Sequence, residues 1–144
     1  MLNVTIDGKK LEAKDGATIL NACQASHVPI PTLCFHKDLM PFGACRLCVV
    51  EVKANGKWQV TSSCDTLAKN KMEIRTNSDK VKESRKLAAE LLYYKYPSTK
   101  AVCDMAESLG VEVAEGKAEG SDCILCGLCT RTCHEIVGVD ALKF

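Results

Sequence analysis

Ten cysteines in a chain of 144 residues constrain this sequence more than any other feature. Two of them are isolated, and the rest fall into two groups far apart along the chain: Cys34, Cys45, Cys48 and Cys64 in the first, and Cys123, Cys126, Cys129 and Cys133 in the second. Clustered spacing is typical of metal ligands, and the N-terminus has neither the basic start nor the apolar centre of a signal peptide. We therefore favour metal binding over a disulfide framework and expect a cytoplasmic location, where thiols stay reduced.

Charge and hydropathy exclude two classes of partner. Lysine and arginine number 19 against 18 acidic residues, so there is no basic excess to neutralise nucleic-acid phosphates. The longest apolar stretches, near residues 47–52 and 87–94, are shorter than the roughly 18 to 20 residues that a membrane-spanning helix needs. We expect neither nucleic-acid binding nor a membrane span.

Two β-hairpins are predicted in the first half of the chain. Apolar residues alternate over residues 2–6, and Asp7-Gly8 then supplies a turn. A valine-rich strand at residues 47–53 is joined through Asn55-Gly56 to residues 58–61, which is the strongest hairpin signal in the sequence.

One helix and a last strand complete this unit. Thr18 is placed to cap a short helix that ends before Pro29, and residues 72–76 read as a strand. A mixed sheet crossed by one helix belongs to the α+β class.

The chain becomes helical after residue 77. Pro97 ends a connecting helix whose predicted apolar face consists of Val81, Leu87, Ala88, Leu91 and Leu92. A second helix is predicted at residues 102–109, with Gly110 as its C-terminal cap. Residues 112–121 are charged and contain glycine, as linkers do.

These patterns divide the chain into three parts. Residues 1–76 form the sheet unit and carry the first cysteine group. Residues 77–121 form a helical connector and linker, and residues 122–144 carry the second cysteine group.

The spacing of the first group suits a small metal cluster. Cys45 and Cys48 are separated by two residues, so both sulfurs can point inward while backbone N–H groups point at sulfur. The small Gly43 and Ala44 permit close approach of the backbone. Only one pair is short, as in plant-type ferredoxins, whereas a four-cysteine zinc site usually has two short pairs. Zinc remains the competing interpretation.

Three other side chains near the first group are not predicted as ligands. Arg46 lies inside the short pair and either softens the charge of a cluster or faces solvent. His27 and His36 are expected to be ordinary surface or packing residues, because four cysteines are already present.

The second group has the spacing two, two, three, which is the run found in bacterial ferredoxins that bind 4Fe-4S clusters. Gly127 lets the loop wrap closely, and His134 is expected to be a neighbour rather than a ligand. In two-cluster ferredoxins the fourth cysteine ligates the other cluster, so Cys133 either completes this site or belongs to one that a longer chain would supply. We expect a longer chain, because residues 138–144 read as a strand entering a hairpin whose partner strand is absent from this sequence.

Residues 1–93 resemble the 2Fe-2S module that opens the large iron-sulfur subunit of complex I, the iron-only hydrogenases, the diaphorase small subunit of NAD-reducing hydrogenases and NAD-dependent formate dehydrogenases. The matching segments are DGATIL at 15–20, IPTLC at 30–34 and GACRLCVVEV at 43–52, with Cys64 beyond them. The segment CILCGLC at 123–129 also resembles the next element of this family. The resemblance implies a β-grasp ferredoxin fold and assigns Cys34, Cys45, Cys48 and Cys64 as ligands of a 2Fe-2S cluster.

The chain departs from this family after the connecting helix. Many of these relatives bind a further 4Fe-4S cluster there through one histidine and three cysteines. Only Cys103 matches, because Lys100 and Leu109 occupy the other two cysteine positions. We interpret this cluster as lost, and Cys103 and Cys23 as packed thiols.

The sequence predicts an electron-transfer role. Two clusters with closed ligand sets offer neither an open metal position nor an acid-base pair, so we assign no catalytic residue. No glycine-rich dinucleotide fingerprint is present. The resemblance therefore implies a relay between a flavin-containing, NAD(P)H-reactive subunit and a catalytic or acceptor subunit. Two alternatives remain: the N-terminal piece of a larger catalytic enzyme, such as an iron-only hydrogenase or formate dehydrogenase, and a zinc or structural module.

Overall fold

The computed structural model describes residues 1–114 and 123–143. Its strands are β1 (Leu2–Ile6), β2 (Lys9–Ala13), β3 (Val49–Ala54), β4 (Lys57–Ser62) and β5 (Met72–Arg75). Its helices are α1 (Ile19–Ala25), α2 (Asp79–Lys95), α3 (Lys100–Ser108) and α4 (Leu128–Arg131), and a π-helical turn at Thr132–Val137 follows α4.

The five strands form one mixed sheet in the order β2-β1-β5-β3-β4. Strand β1 pairs with β2, and β3 with β4, in antiparallel hairpins, whereas β1 pairs with the distant β5 in parallel. Both predicted turns are present. Asp7-Gly8 and Asn55-Gly56 have positive φ at both residues, the conformation that two-residue hairpin turns of type I′ require.

Helix α1 begins at a capping box, in which the Thr18 hydroxyl accepts a hydrogen bond from the backbone N–H of Asn21. The helix buries Ile19, Ala22 and Cys23 against apolar side chains of β1, β3 and β5. This packing of one helix on a mixed sheet confirms the predicted α+β class.

Helices α2 and α3 pack together and cover the loop that precedes β3. Their shared core contains Leu47 from that loop, Ala89 from α2 and Ala106 from α3. The predicted apolar face of α2 is wrong at Leu87 and Leu91, which are 58% and 63% exposed.

Val81 of the predicted face is buried, and the other buried positions of α2 are Arg85 and Ala89; the three repeat every four residues and face the sheet and α3. The Arg85 side chain is buried because its Nη2 donates a hydrogen bond to the backbone carbonyl of Val49, at 2.7 Å. A helical wheel cannot foresee a buried arginine whose acceptor lies on another element.

In the C-terminal segment, the described residues 123–143 have only short helical structure. Gly127, with φ +74°, precedes α4, and the π-helical turn ends at Gly138, with φ +75°. Residues 138–143 form no strand within this chain, and because the partner of the predicted strand was expected outside it, that strand stays a prediction. Within the described part of the chain, no helix has the length and apolar character needed to cross a membrane.

Part of the predicted linker, residues 115–121, lies outside the described residues. The helix predicted at residues 102–109 is confirmed as α3, and Gly110 follows it with φ +77°. The division of the chain at residues 76 and 121 stays a prediction.

Candidate metal centres

The first cysteine group comes together where loops meet one end of the sheet. Cys34 lies in the long loop after α1, Cys45 and Cys48 immediately precede β3, and Cys64 follows β4. Because β3 and β4 form a hairpin, Cys48 and Cys64 approach each other from its two open ends. Cys34, Cys48 and Cys64 are buried and Cys45 is half-buried.

The four thiols associate as two pairs. Cys34 and Cys45 lie within hydrogen-bonding reach, and this bond is the main reason that the pKa of Cys45 is lowered to about 5 and that of Cys34 is raised. Cys48 and Cys64 form the second pair, in which burial first, and then the neighbouring Cys48, raise the pKa of Cys64 to about 12. A thiol whose neighbour becomes a thiolate resists ionisation, because two like charges repel at short range.

Backbone donors surround these sulfurs. The N–H of Cys45 points at Cys34 Sγ at 3.5 Å, and N–H groups of Leu33 and Leu47 favour the thiolate of Cys45. The N–H of Gly43 does the same for Cys64. Donors around thiolate sulfur are what an anionic iron-sulfur cluster requires, because they compensate its negative charge. The residues of this site therefore fit such a cluster.

Gly43 allows the loop before Cys45 to approach the loop after Cys64. It has φ +65°, and a Cβ atom at this position would lie 2.6 Å from Asp65 Oδ2. The Asp65 side chain has little freedom to move away, since its Oδ1 accepts a hydrogen bond from the Ser62 hydroxyl. Both the backbone conformation and the close approach favour glycine.

Packing and hydrogen bonds hold the Cys48–Cys64 pair in place. Both cysteines pack in one buried cluster with Leu20 of α1, and the Ser63 hydroxyl donates to the Cys48 carbonyl at 2.7 Å. Ser63 in turn accepts at its own carbonyl from the Leu20 N–H, at 2.9 Å. The cysteine loops are thus attached to α1 as well as to the hairpin.

A paired arrangement bears on the choice between iron and zinc. A zinc ion needs all four sulfurs at about 2.3 Å from one point, whereas a two-iron cluster takes two sulfurs at each iron. The two thiol pairs, Cys34 with Cys45 and Cys48 with Cys64, correspond to the two sulfurs that each iron of such a cluster takes.

The second cysteine group is far less enclosed. Cys123 and Cys129 are exposed, Cys126 is half-buried and Cys133 is buried. Cys133 Sγ accepts a hydrogen bond from the backbone N–H of Ala141, at 3.2 Å. The assignment of these four residues as ligands stays a prediction.

The two cysteine groups lie close to one another. A cavity of about 380 Å³ is lined by Cys34 and Cys45 of the first group, by Leu92 of α2, and by Ile124 and Cys126 of the second segment. Arg131 of α4 also reaches the first group, because its Nη1 donates to the Cys34 carbonyl at 3.0 Å. The only sequence signal for Arg131 was its spacing of four residues from Glu135, which predicts a helical ion pair but not this contact.

Among the other side chains considered in the sequence, Arg46 and the three histidines are exposed, whereas Cys23 and Cys103 are buried. Arg46, with φ +57°, is exposed at the rim of the cavity, and His27 and His36 are exposed. His134 is exposed and pairs with Asp140 at 2.6 Å. Cys23 and Cys103 are buried; burial raises the pKa of Cys23 to about 11, and Cys103 Sγ donates to the Pro97 carbonyl at 3.3 Å.

Comparison with known protein families identifies the kind of site formed by the first cysteine group. Residues 1–79 match the family model described as a 2Fe-2S iron-sulfur cluster binding domain. The chain is 31% identical over 169 residues to an NADH-quinone oxidoreductase subunit of Rhizobium meliloti, and 30% identical over 168 residues to the alpha subunit of NADPH-Fe(3+) oxidoreductase of Geobacter sulfurreducens. Each comparison covers 99% of this chain and 20% of the relative.

A solved structure extends the likeness to the fold. A chain of NAD+-reducing [NiFe]-hydrogenase in the H2-reduced state matches with a TM-score of 0.81 at 26% sequence identity. The match covers 99% of this chain and 69% of the hydrogenase chain. The present chain therefore spans about a fifth of the curated relatives and about two thirds of this structural neighbour.

Proposed function

Because the chain belongs to the family of 2Fe-2S iron-sulfur cluster binding domains, we propose that Cys34, Cys45, Cys48 and Cys64 hold a 2Fe-2S cluster. The resemblance predicted from residues 15–20, 30–34 and 43–52 is confirmed by this membership, and so is the β-grasp fold. One observation carries the ligand assignment: four thiols gathered as two pairs, with backbone N–H groups facing their sulfurs.

The pairing also suggests which thiols share an iron. Cys34 and Cys45 would ligate one iron, and Cys48 and Cys64 the other, since two cysteines hold each iron in such clusters. Only a thiolate binds metal, so Cys45, whose pKa the hydrogen bond with Cys34 lowers, would be the first of this pair to bind, and Cys34, whose pKa the same bond raises, would follow.

We further propose a 4Fe-4S cluster at Cys123, Cys126, Cys129 and Cys133. Its support is the spacing of these cysteines and the position of Cys126 on the cavity shared with Cys34 and Cys45. Cys133 is the least accessible of the four, and we assign it as the fourth ligand within this chain.

With both clusters bound, the chain would accept and release single electrons. We propose a relay between a flavin-containing, NAD(P)H-reactive subunit and a catalytic or acceptor subunit of an oxidoreductase complex. The names of the relatives support this role, since all three are pyridine-nucleotide oxidoreductases or hydrogenases. A cytoplasmic setting would suit the ten thiols, because that compartment keeps cysteine reduced.

The second candidate is a cluster-bearing piece of a larger catalytic enzyme. The observation that favours it is the length of the curated relatives, of which this chain matches only about a fifth. The intact mass of the protein from its native source tests this candidate, because a mass near the 15.6 kDa of this chain contradicts it. If the mass is well above that value, hydrogenase or formate dehydrogenase activity of the isolated polypeptide distinguishes a catalytic enzyme from a longer relay subunit.

Metal and sulfide analysis of the anaerobically purified chain tests the proposal. We expect about two irons and two sulfides from the first site and about four of each from the second. Cys48→Ser should remove the first set and Cys126→Ser the second. A colourless protein with stoichiometric zinc would contradict both assignments and favour the structural module.

The relay needs a separate test. NADH should not reduce the purified chain by itself, and should do so once a flavin-containing subunit of the same complex is added. The visible absorbance of the iron-sulfur centres reports the reduction, and the Cys48→Ser variant is the control. Reduction by NADH alone, with no flavin present, would overturn the proposal that a separate flavin-containing subunit passes electrons from NADH to this chain.

A further inference from the structure

Two side chains of the C-terminal segment contact the loop that carries Cys34. Arg131 lies between Cys129 and Cys133 in sequence, and its Nη1 donates to the Cys34 carbonyl at 3.0 Å. Glu135 lies one turn further, and its Oε2 accepts from the backbone N–H of Met40 at 2.7 Å. We call these contacts the Arg131–Glu135 bridge.

The charged side chains of the bridge are largely covered, although the two loop residues that they contact, Met40 and Phe42, are 70% and 43% exposed. The Arg131 side chain is 12% exposed, and its guanidinium carbon lies 4.9 Å from the centre of the Phe42 ring. Its Nε faces Glu135 Oε1 at 3.8 Å. An ion pair in such a position is screened less by water than a surface pair, so each of its charges acts strongly on neighbouring groups.

The guanidinium also keeps unused donors. Its Nε and Nη2 are buried and have no hydrogen-bond partner among the described residues. A buried arginine usually has its donors satisfied, because an unmet donor costs free energy. This arginine, placed between the two cysteine groups, is therefore poised to favour a nearby negative charge.

We propose that the Arg131–Glu135 bridge docks the second cysteine site against the first and sets the balance of charge beside Cys34. This inference rests on the proposed function, and both side chains are positioning residues rather than ligands. Reduction of the first site adds one electron and one negative charge, with no bond made or broken. A cation nearby favours the reduced state and a carboxylate opposes it, so the two members of the bridge act on the reduction potential in opposite directions.

The test uses the full cluster-loaded chain with Arg131→Gln and Glu135→Gln. The first variant leaves an unpaired carboxylate near Cys34, and the second leaves an unpaired guanidinium. Gln at position 135 keeps an oxygen that can accept from the Met40 N–H, so this variant should retain its iron. Redox titration followed by electron paramagnetic resonance gives the potential of the first cluster in each variant.

Lys100 and Asp104 provide a matched control. They form an ion pair with the same spacing of four residues, but their side chains are 85% and 58% exposed. Lys100→Gln and Asp104→Asn remove the same charges, and solvent should screen the effect, so both should leave the potential unchanged.

We expect the potential to fall in Arg131→Gln and to rise in Glu135→Gln. The magnetic interaction between the two reduced clusters should also weaken in Arg131→Gln, because the docking contact to Cys34 is lost. If the bridge had a purely structural role, the potential of the first cluster would shift in the same direction in both variants, or the variants would lose iron with no shift in potential. Either result, or two unchanged potentials, would overturn the inference.

Two further outcomes have a defined meaning. If Arg131→Gln loses the second cluster, Glu135→Gln alone decides, and an unchanged potential in that variant overturns the inference. A wild-type chain without iron would overturn the proposed function and the inference with it. If the wild-type chain binds both clusters and the first cluster has the same potential in the wild type and in both variants, only the inference is overturned.

Discussion

The two cysteine groups of this chain receive very different support from the fold. In the first, Cys34, Cys48 and Cys64 are buried, and the loops that carry them are attached to a hairpin, to α1 and to the core formed with α2 and α3. In the second, Cys123 and Cys129 are exposed on a segment whose described structure consists of α4 and one π-helical turn.

This difference determines how strongly the ordered structure of each region depends on metal binding. Ordering a residue costs about 1 to 2 kcal/mol of conformational entropy, and a packed core offsets that cost for the first group before any metal binds. The second segment has no core of its own among the described residues, so its order depends on metal-ligand bonds and on contacts such as the Arg131–Glu135 bridge. We therefore expect the first site to be preorganised and the second to fold as it binds metal.

Removal of iron should therefore separate the two regions most clearly. After chelation, amides of residues 123–143 should exchange hydrogen at the rate of an unstructured peptide, whereas amides of β1, β3 and β5 keep measurable protection. Hydrogen exchange read by mass spectrometry, with the loaded chain as the reference, makes this comparison. Equal loss of protection in both regions would mean that the first site also lacks preorganisation.

Single ligand substitutions should affect one site at a time. Cys48→Ser should abolish the 2Fe-2S electron paramagnetic resonance signal and leave the 4Fe-4S signal, and Cys126→Ser should do the reverse. The physical reason is that the two ligand sets lie on different segments, which among the described residues meet at the cavity and at the bridge. Loss of both signals in the Cys48→Ser variant would argue against independent sites.

Truncating an apolar side chain near each site should show where the core lies. Leu47 is fully buried between the cysteine loop and the helices, so Leu47→Ala should lower the free energy of unfolding by about 2 to 5 kcal/mol. Leu125 is 52% exposed, and Leu125→Ala should cost less than about 1 kcal/mol. Urea unfolding of the two variants measures both values, and similar costs would contradict the proposed contrast.

Two glycines with similar backbone conformations test the close approach of loops at the first site. Gly43→Ala meets Asp65, whereas an alanine at Gly138, with φ +75°, meets no atom within 4 Å. Both variants should lose about 1 kcal/mol through backbone strain, and only Gly43→Ala should also release iron from the first site faster. Iron release to a chelator provides the measurement, and equal rates would show that the contact with Asp65 is unimportant.

The smallest effect is expected at Cys103, which belongs to neither group. Cys103→Ser should leave the iron content unchanged. The serine hydroxyl can still donate to the Pro97 carbonyl, and Lys100 and Leu109 occupy the positions where the relatives have the other two cysteines of that cluster. A lower iron content in this variant, with the fold intact by circular dichroism, would restore the third cluster that we interpret as lost.

Local features were predictable because their causes lie within a few residues. Asn55-Gly56 forms its turn and Thr18 caps its helix through bonds that span only three or four positions. The cysteine spacings predicted two candidate sites for the same reason, since ligand chemistry depends on residue type and separation.

Which faces and loops meet was decided only by the tertiary structure. The sequence of α2 offers Leu87 and Leu91 as a buried face, yet packing against the sheet and α3 buries Arg85 instead, because the Val49 carbonyl is there to accept its hydrogen bond. The thiol pairing at the first site and the contact of Arg131 with Cys34, across 97 positions, likewise depend on groups that are remote along the chain. Residue types and short spacings determined which chemistry this protein can perform, whereas burial and long-range hydrogen bonds, which no local pattern encodes, determined how its two cysteine groups lie together.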